Sequence, residues 1–474
     1  MVRVVFVRVA PFVNKSIFHP RDIIIPFNIG FAMTLLEKHN YSCALLDTWL
    51  NNETPDEIWR FIKSHKPEYL VIENTTSTIE IVKEIFSSAK KTIKSFNIAM
   101  GQNASALPES LLDKSSSVDV CVYGEAEKTI ERIVLSKGSK LKDIENIYFL
   151  EKGKIRSTKK EGIVEDLTKL PRLNYDHFYK ENKGYQVVST HIPVFKKIKW
   201  GFILSSRGCP YNCIYCSPTL RHSYGKRFRA HKAEWVYEEM KRLKEVYGVN
   251  AIFFPDDLFT FDRDRVIDLC KLIINNRLKI KWAVQTRVDY TDPEMLKYLK
   301  KAGCSTLCMG IESGNNRILR TLNKSITKEK IIEKLMVIKK FGFILDLYFM
   351  IGNPTETEGE ATETFKLAIR FKPEILRFAF FTPYPGSPIY ERIAKEQEID
   401  LGVHHYDSLK YNFSNISTER LLKLQKDFYK RYYLSIGYIF KYFIKRMPYE
   451  LLNIDTETRL VKSALQFIFR KNEN

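Results

Sequence analysis

Along its first third the chain repeats one pattern of apolar and polar positions: a short apolar run, a turn, then a longer stretch with apolar residues three and four places apart. Val2–Val9, Ser42–Leu46, Tyr69–Ile72, Asn97–Met100 and Val118–Tyr123 are the apolar runs and read as buried strands. Pro26–His39, Pro55–Ser64, Thr78–Ser95 and the stretch from Glu125 carry the helical spacing. Buried strands joined by amphipathic helices predict an α/β fold with a doubly wound, flavodoxin- or Rossmann-like parallel sheet. Ligands of such sheets sit beyond the carboxyl ends of the strands, where Gly101 and Gly124 both fall. Asn146–Thr158 then reads as a hairpin, and a polar stretch containing Pro171 reads as a linker to about residue 195.

A second series begins at Phe202–Ser205. Its further strands are Ala251–Phe254, Lys281–Gln285, Thr306–Met309, Leu345–Met350 and Leu376–Phe381, with helices at about 232–247, 263–275, 292–302, 327–341 and 358–370. Six βα units in a row predict a partial (β/α)6 barrel with its chemistry at the carboxyl ends of the strands. Near residue 405 the strand pattern stops. The expected division is residues 1–140 for the doubly wound domain, 141–195 for hairpin and linker, 196–400 for the barrel, and 401–474 for a helical, basic and aromatic C-terminal region.

Composition narrows the class. A chain of 474 residues with 44% hydrophobic and 28% charged positions is neither disordered, collagenous nor a small disulfide scaffold. The formal charge of +20 suits an anionic partner (nucleic acid, phospholipid head groups or a phosphorylated substrate) or a merely lysine-rich surface. No apolar run reaches the roughly 18 residues of a membrane span. Met1–Ala10 lacks the pattern of a signal peptide, so a cytoplasmic protein is expected. Eight basic residues and one acid between Arg420 and Arg446 are interleaved with Tyr and Phe. As a helix this stretch serves either a membrane surface, with peripheral association, or the barrel, with its aromatics packed inward. Nucleic acid ranks lower.

Of the eight cysteines, five lie singly in apolar runs and read as buried packing, Cys304 and Cys308 included. The other three form Cys209-Pro-Tyr-Asn-Cys213-Ile-Tyr-Cys216, directly after the first strand of the second series. Three thiolates in one loop without a fourth ligand suit a 4Fe–4S cluster with one iron open. A zinc knuckle borrowing His222 is the alternative.

That C-x3-C-x2-C spacing, with Tyr215 before the third cysteine, resembles the signature of the radical S-adenosylmethionine (SAM) enzymes. The resemblance implies that Cys209, Cys213 and Cys216 ligate the cluster and that Tyr215 lies against adenine. It also implies reductive cleavage of SAM to a hydrogen-abstracting 5′-deoxyadenosyl radical, fed by a donor such as flavodoxin or ferredoxin. Pro255-Asp256-Asp257 resembles the family's acidic turn, which makes Asp256 the partner of the SAM amino group. Gly310-Ile-Glu312-Ser313-Gly314 resembles the segment that meets ribose and methionine, and Ile351-Gly352 resembles the adenine-side motif. Thr382–Pro388 is another family hallmark.

A doubly wound domain ahead of this barrel is similar to the cobalamin-binding class of that family, here through Pro26–Gly30, Asp47, Gly101-Gln102 and Gly124-Glu125-Ala-Glu127. Gly101, Gln102, Gly124 and Glu125 are then the cobalamin residues, the glycines letting the corrin approach the backbone. No Asp-x-His-x-x-Gly follows Val9, and His19 lacks that context, so the resemblance implies a cobalt without a protein histidine. The function expected is cobalamin-dependent methylation of an unactivated carbon in a small-molecule or lipid substrate. The alternatives are cobalamin-dependent cyclisation or oxidation of a lipid or tetrapyrrole-like substrate, and a non-catalytic cobalamin or redox-binding protein. No side chain is assigned a catalytic role.

Overall fold

The structure, a computed structural model, describes residues 2–10, 23–113, 117–159, 163–181, 183–186, 198–216, 224–396, 399–400 and 409–438. Two largely parallel sheets organise them. The first holds β1 (Val4–Arg8), β2 (Cys43–Asp47), β3 (Tyr69–Asn74), β4 (Phe96–Gly101), β5 (Val120–Val122), β6 (Ile147–Glu151) and β7 (Lys154–Ser157). Their order is β2-β1-β3-β4-β5-β6-β7. The first five strands are parallel and follow the flavodoxin order, whose switch point lies between β1 and β3.

The hairpin departs from the expected division. It belongs to the first sheet, where β6 pairs antiparallel with β5, Cys121 facing Tyr148. Ile147 and Phe149 enter one core and Tyr148 the other. A strand apolar on both sides needs a sheet, and β5 offered a free edge.

The second series supplies β8 (Trp200–Phe202), the short pair β9 (Ser206–Arg207) and β10 (Arg229–Ala230), then β11 (Ala251–Phe254), β12 (Lys281–Thr286), β13 (Cys304–Glu312), β14 (Ile344–Ile351) and β15 (Ile375–Phe380). Six of these form an all-parallel sheet in the order β15-β14-β13-β12-β11-β8, as a partial barrel requires. The intervening helices start where their caps direct. Asp262, Asp292 and Thr327 each accept a backbone N–H at a helix start, and Thr357 forms a capping box with Glu360.

The expected polar linker is largely buried. Leu167, Leu170, Leu173, Tyr175, Phe178, Tyr179 and Tyr185 join one core with Phe27 and Phe31 of the first series and Trp200 and Phe202 of the second. Their spacing is irregular, so no periodic signal announced them.

Over the described part of the tail, the helix Thr418–Tyr433 takes one of the two arrangements expected, its aromatics packed inward on the barrel. Phe428, Tyr429 and Tyr432 are buried against the barrel. The Tyr429 hydroxyl accepts the Phe378 N–H at 2.7 Å, and that of Tyr433 accepts the Leu376 N–H at 3.0 Å and donates to the Leu376 carbonyl. Gln425 donates to the Phe378 carbonyl at 2.7 Å. At the opposite edge Tyr179 accepts the Phe202 N–H and Tyr175 donates to its carbonyl, both at 3.0 Å. Lys423, Lys430 and Arg431 stay exposed. Residues 439–446 of the aromatic-basic stretch lie outside the described residues. No helix of the described residues is long and apolar enough to cross a membrane.

Candidate active site

The cysteine loop grows from β9 and β10, which pair antiparallel and tie its two ends together. Gly208 makes the first turn at φ +89°, and a Cβ there would lie 2.2 Å from the Arg227 carbonyl oxygen. Only glycine fits that crossing. Cys213 is buried, Cys209 and Cys216 are half-buried, and none of the three is in a disulfide. Burial pushes the Cys209 thiol up. Among the described residues no three His, Cys, Asp or Glu side chains converge on a single metal ion. Three soft thiols spread along one loop instead fit a multi-iron cluster. His19, Ser217 and His222 lie outside the described residues, while Cys304 and Cys308 are core residues, as expected.

A buried charge network joins this loop to the first sheet. Arg207, next to Gly208, reaches Glu127 Oε1 at 2.6 Å and Glu125 Oε2 at 3.4 Å. Arg229, at the other end of the loop, reaches Glu125 Oε1 at 2.7 Å. Arg207 and Glu127 are 1% and 0% exposed, so neither charge has water to fall back on. The Arg207 guanidinium also lies between the rings of Phe31 and Tyr224, and the Tyr224 hydroxyl donates to Asn28. Glu125, expected at a cobalamin contact, is thus committed to two arginines and to the Val164 N–H.

The segments expected at SAM separate into two groups. Tyr215 and Glu312 come together through Lys324, whose ammonium lies 2.9 Å from Glu312 Oε1 and 3.2 Å from the Tyr215 hydroxyl. Glu312 sits at φ +69° beside an irregularity in the β13–β14 register. Such a conformation costs about 1–3 kcal/mol in a non-glycine residue, and here it accompanies the approach of the carboxylate to Lys324. Burial and then the Glu312 charge drive the Tyr215 hydroxyl well up, which keeps it a neutral donor.

The other group is taken up by the protein itself. Asp256, expected to meet the SAM amino group, is 0% exposed and accepts from Ser205 N–H at 2.8 Å and from the Ser205 and Ser206 hydroxyls. It holds the end of β8. Its neighbour Asp257 is the carboxylate beside the cysteine loop, accepting the Gly208 N–H at 3.1 Å. Burial pushes Asp257 up to about 7, against that hydrogen bond and with the Asp256 charge. Ser313 shares a hydrogen bond with Thr364, and Ile351 is a buried strand end. Beyond Ile351, Glu356 accepts the Gly352 and Asn353 N–H groups and locks the turn.

Asp257 lies in the acidic turn read from sequence, where the role was given to Asp256; Lys324 and Arg207 were not singled out, nor was Arg287, whose guanidinium lies 3.7 Å from the Tyr211 ring centre and is forked onto Asp289. A cation adjoining apolar strand ends, as in Leu204-Ser-Ser-Arg207, was the available signal for the buried arginine.

At the first sheet, Gly101 has φ +102°, and a Cβ would sit 2.6 Å from the Asn74 carbonyl oxygen. Its small size is required by the protein's own backbone rather than by a cofactor alone. Gln102 opens the helix Gln102–Ala106, and the Gly124 N–H donates to Ser105. Around these turns several buried side-chain atoms meet no hydrogen-bond partner: both polar atoms of Asn74, the hydroxyls of Thr75 and Thr76, and Asn103 Oδ1.

A family model described as the radical SAM superfamily matches residues 203–368. An uncharacterized methyltransferase of Pyrococcus horikoshii is 30% identical over 415 residues, 86% of this chain and 88% of its own length. The anaerobic magnesium-protoporphyrin IX monomethyl ester cyclase of Cereibacter sphaeroides is 22% identical over 432 residues, 86% of this chain and 67% of the cyclase. In fold the chain resembles the cobalamin-dependent S-adenosylmethionine radical enzyme OxsB with aqua-cobalamin bound, at TM-score 0.73 and 16% identity over 98% of this chain and 72% of OxsB. A relationship as long as that to the Pyrococcus protein, added to the matched barrel, settles the family: the chain belongs to the radical SAM enzymes, with a doubly wound domain ahead of the barrel.

Proposed function

We propose that this enzyme methylates an unactivated carbon of a small-molecule or lipid substrate, with cobalamin as the methyl carrier. The observation that carries the reading is the buried network from Glu125 and Glu127 to Arg207 and Arg229, which ties the ligand end of the first sheet to the cysteine loop. Two cofactors serving one substrate need that registration.

In this reading Cys209, Cys213 and Cys216 hold the 4Fe–4S cluster, which when bound supplies the reductive cleavage of SAM. Lys324 offers a cation to the SAM carboxylate while orienting Glu312 and Tyr215. Asp257, in place of Asp256, offers a carboxylate to the SAM amino group. Tyr215 and Ile351 provide apolar surface for adenine, and Ser313 braces Glu312 through Thr364. Cobalamin bound at Gly101, Gln102 and Gly124 supplies the methyl group, and Glu125 serves by holding that turn in place.

The test uses the full chain, reconstituted anaerobically with iron, sulfide and cobalamin, supplied with methyl-deuterated SAM, a flavodoxin- or ferredoxin-type reductant and candidate substrates. Deuterium in a new product supports methyl transfer. An unlabelled product with the same SAM cleavage supports cyclisation or oxidation, a second reading favoured by the cyclase relative. Binding without cleavage leaves a non-catalytic protein. Among the described residues of the tail, peripheral membrane contact would use the exposed Lys423, Lys430 and Arg431, since Phe428, Tyr429 and Tyr432 are engaged inside. Protein that stays in the supernatant with anionic vesicles at low salt overturns it.

A further inference from the structure

Among the described residues, the polar side chains that are nine-tenths buried yet leave an atom without a hydrogen bond fall into three kinds. Glu125, Glu127, Arg207 and Glu239 are already in ion pairs. His231 and Asn353 stand singly. Asn74, Thr76 and Asn103 form a group, with the half-buried Thr75 beside them. Asn74 ends β3 and is paired in register with Gly101, and Asn103 follows two residues later. The group therefore sits at the carboxyl ends of β3 and β4, next to the switch point between β1 and β3. Buried polar groups of native proteins are almost always satisfied, so a group of them in one place marks a polar partner not supplied by the chain.

The chemistry of the group limits that partner. Asn74 offers a donor and an acceptor, Asn103 an acceptor, and the threonines hydroxyls that can do either. None of the four is charged. Arg8, at the end of the adjoining β1, is taken by two carboxylates, Asp47 and Glu73, at 3.3 Å each. An anionic phosphate would meet two amide oxygens, and the cation at the adjoining strand end is already paired. A primary carboxamide, with one C=O and one NH2, matches the pattern of open donors and acceptors.

We propose that Asn74, Thr76 and Asn103 form a subsite that reads the neutral carboxamide side chains of a corrin ring. The inference rests on the cobalamin reading above and deepens it by naming the face of the cofactor recognised and the residues that recognise it. It makes the first sheet selective for the amide rim of the ring rather than for the nucleotide tail.

The probes are hydroxocobalamin and cobinamide, which keeps the ring amides and lacks the nucleotide, each titrated by visible spectroscopy and equilibrium dialysis into the full chain. Asn74→Leu and Asn103→Leu are each expected to weaken both ligands about tenfold, the loss of one hydrogen-bonded contact to a ligand amide. Ligand-free Asn74→Leu is expected to melt no lower than the parent, because both polar atoms it loses are unsatisfied, whereas Asn103→Leu also gives up its donation to the Thr75 carbonyl and is read by affinity alone. Asn74→Ala serves as a second variant should leucine overfill the site. Unchanged affinity for both probes overturns the proposal and leaves the group to buried water. Weakening of hydroxocobalamin alone assigns the site to the nucleotide and also overturns it. A ligand-free Asn74→Leu chain that melts lower marks a structural residue and overturns it as well. A parent chain that binds neither probe removes the cobalamin reading itself, a result distinguishable from all the others.

Discussion

At the carboxyl end of β11 the buried Asp256 accepts three hydrogen bonds from Ser205 and Ser206, whereas at the carboxyl end of β3 the equally buried Asn74 side chain finds no partner among the described residues. The contrast recurs along both sheets. In the barrel, Glu356 locks the turn after β14 and Ser313 is tied to Thr364, so conspicuous polar strand ends are spent on holding shape. In the proposed function, ligand chemistry there is given to side chains from flanking loops, Tyr215, Lys324 and Asp257. In the first sheet Arg8 and Asp47 are likewise spent on each other, and the unsatisfied polar atoms gather at the ends of β3 and β4. A polar residue at a strand end is thus no guide to function until its hydrogen bonds have been counted.

The comparison breaks most completely if the two ends are disconnected. Glu127→Ala strands the buried Arg207 and should cost about 3–5 kcal/mol of unfolding free energy, read from the urea midpoint at unchanged slope. A loss below about 1 kcal/mol would make the network no stronger than a surface pair. Asp256→Ala comes next. It leaves the Ser205 N–H and two hydroxyls bare and should cost about 1–3 kcal/mol in the same assay, even with no SAM present. A variant that kept its stability and lost SAM affinity instead would return Asp256 to the ligand.

The pH dependence tests how the halves are held together elsewhere. His177 bridges Glu37 of the first helix and Glu181, at 2.5 and 2.9 Å. Burial opposes its charge, but the hydrogen bonds and charges of both partners carry it up to about 9 from the ordinary 6.5. A raised folded-state value means the stabilisation is complete below about pH 6.5 and is lost as the pH rises through about 9. The expected loss is on the order of 1–2 kcal/mol, with the exposed Glu181 adding little, and His177→Phe should abolish that slope. The smallest effect is the sharpest for the comparison. Without cofactor, Asn74→Leu should raise stability by up to about 1 kcal/mol while Asp256→Leu lowers it. Changes of the same sign would erase the distinction between the two sheets.

Strands and helices of both series were legible because each repeats a physical period, and Cys209–Cys216 because three thiolates in one loop have few other uses. The hairpin was legible as a hairpin, but not as a member of the first sheet, since strand pairing depends on which edge is free. Tyr175, Phe178 and Tyr179 were hidden because irregularly spaced aromatics carry no period. The choice between Asp256 and Asp257 turns on which carboxylate Ser205 and Ser206 engage. Glu125 looked like a ligand because its arginine partners lie some 80 and 100 residues onward in Arg207 and Arg229, a distance that local pattern cannot bridge.

A barrel of six strands is an open arc, with two rims of unpaired peptide groups that any stray β-strand could extend. Here four phenolic oxygens stand in for the strands that would close it. Tyr175 and Tyr179 cover the rim at Phe202, and Tyr429 and Tyr433 cover the rim at Leu376 and Phe378. Each hydroxyl matches a peptide group while its ring stays in the core, so the rims are sealed without recruiting another chain. Tyr429→Phe combined with Tyr433→Phe would keep nearly all the buried ring surface and bare the peptide groups beneath. The oxygen atoms of these rings, more than the rings themselves, stand between this fold and edge-to-edge self-association.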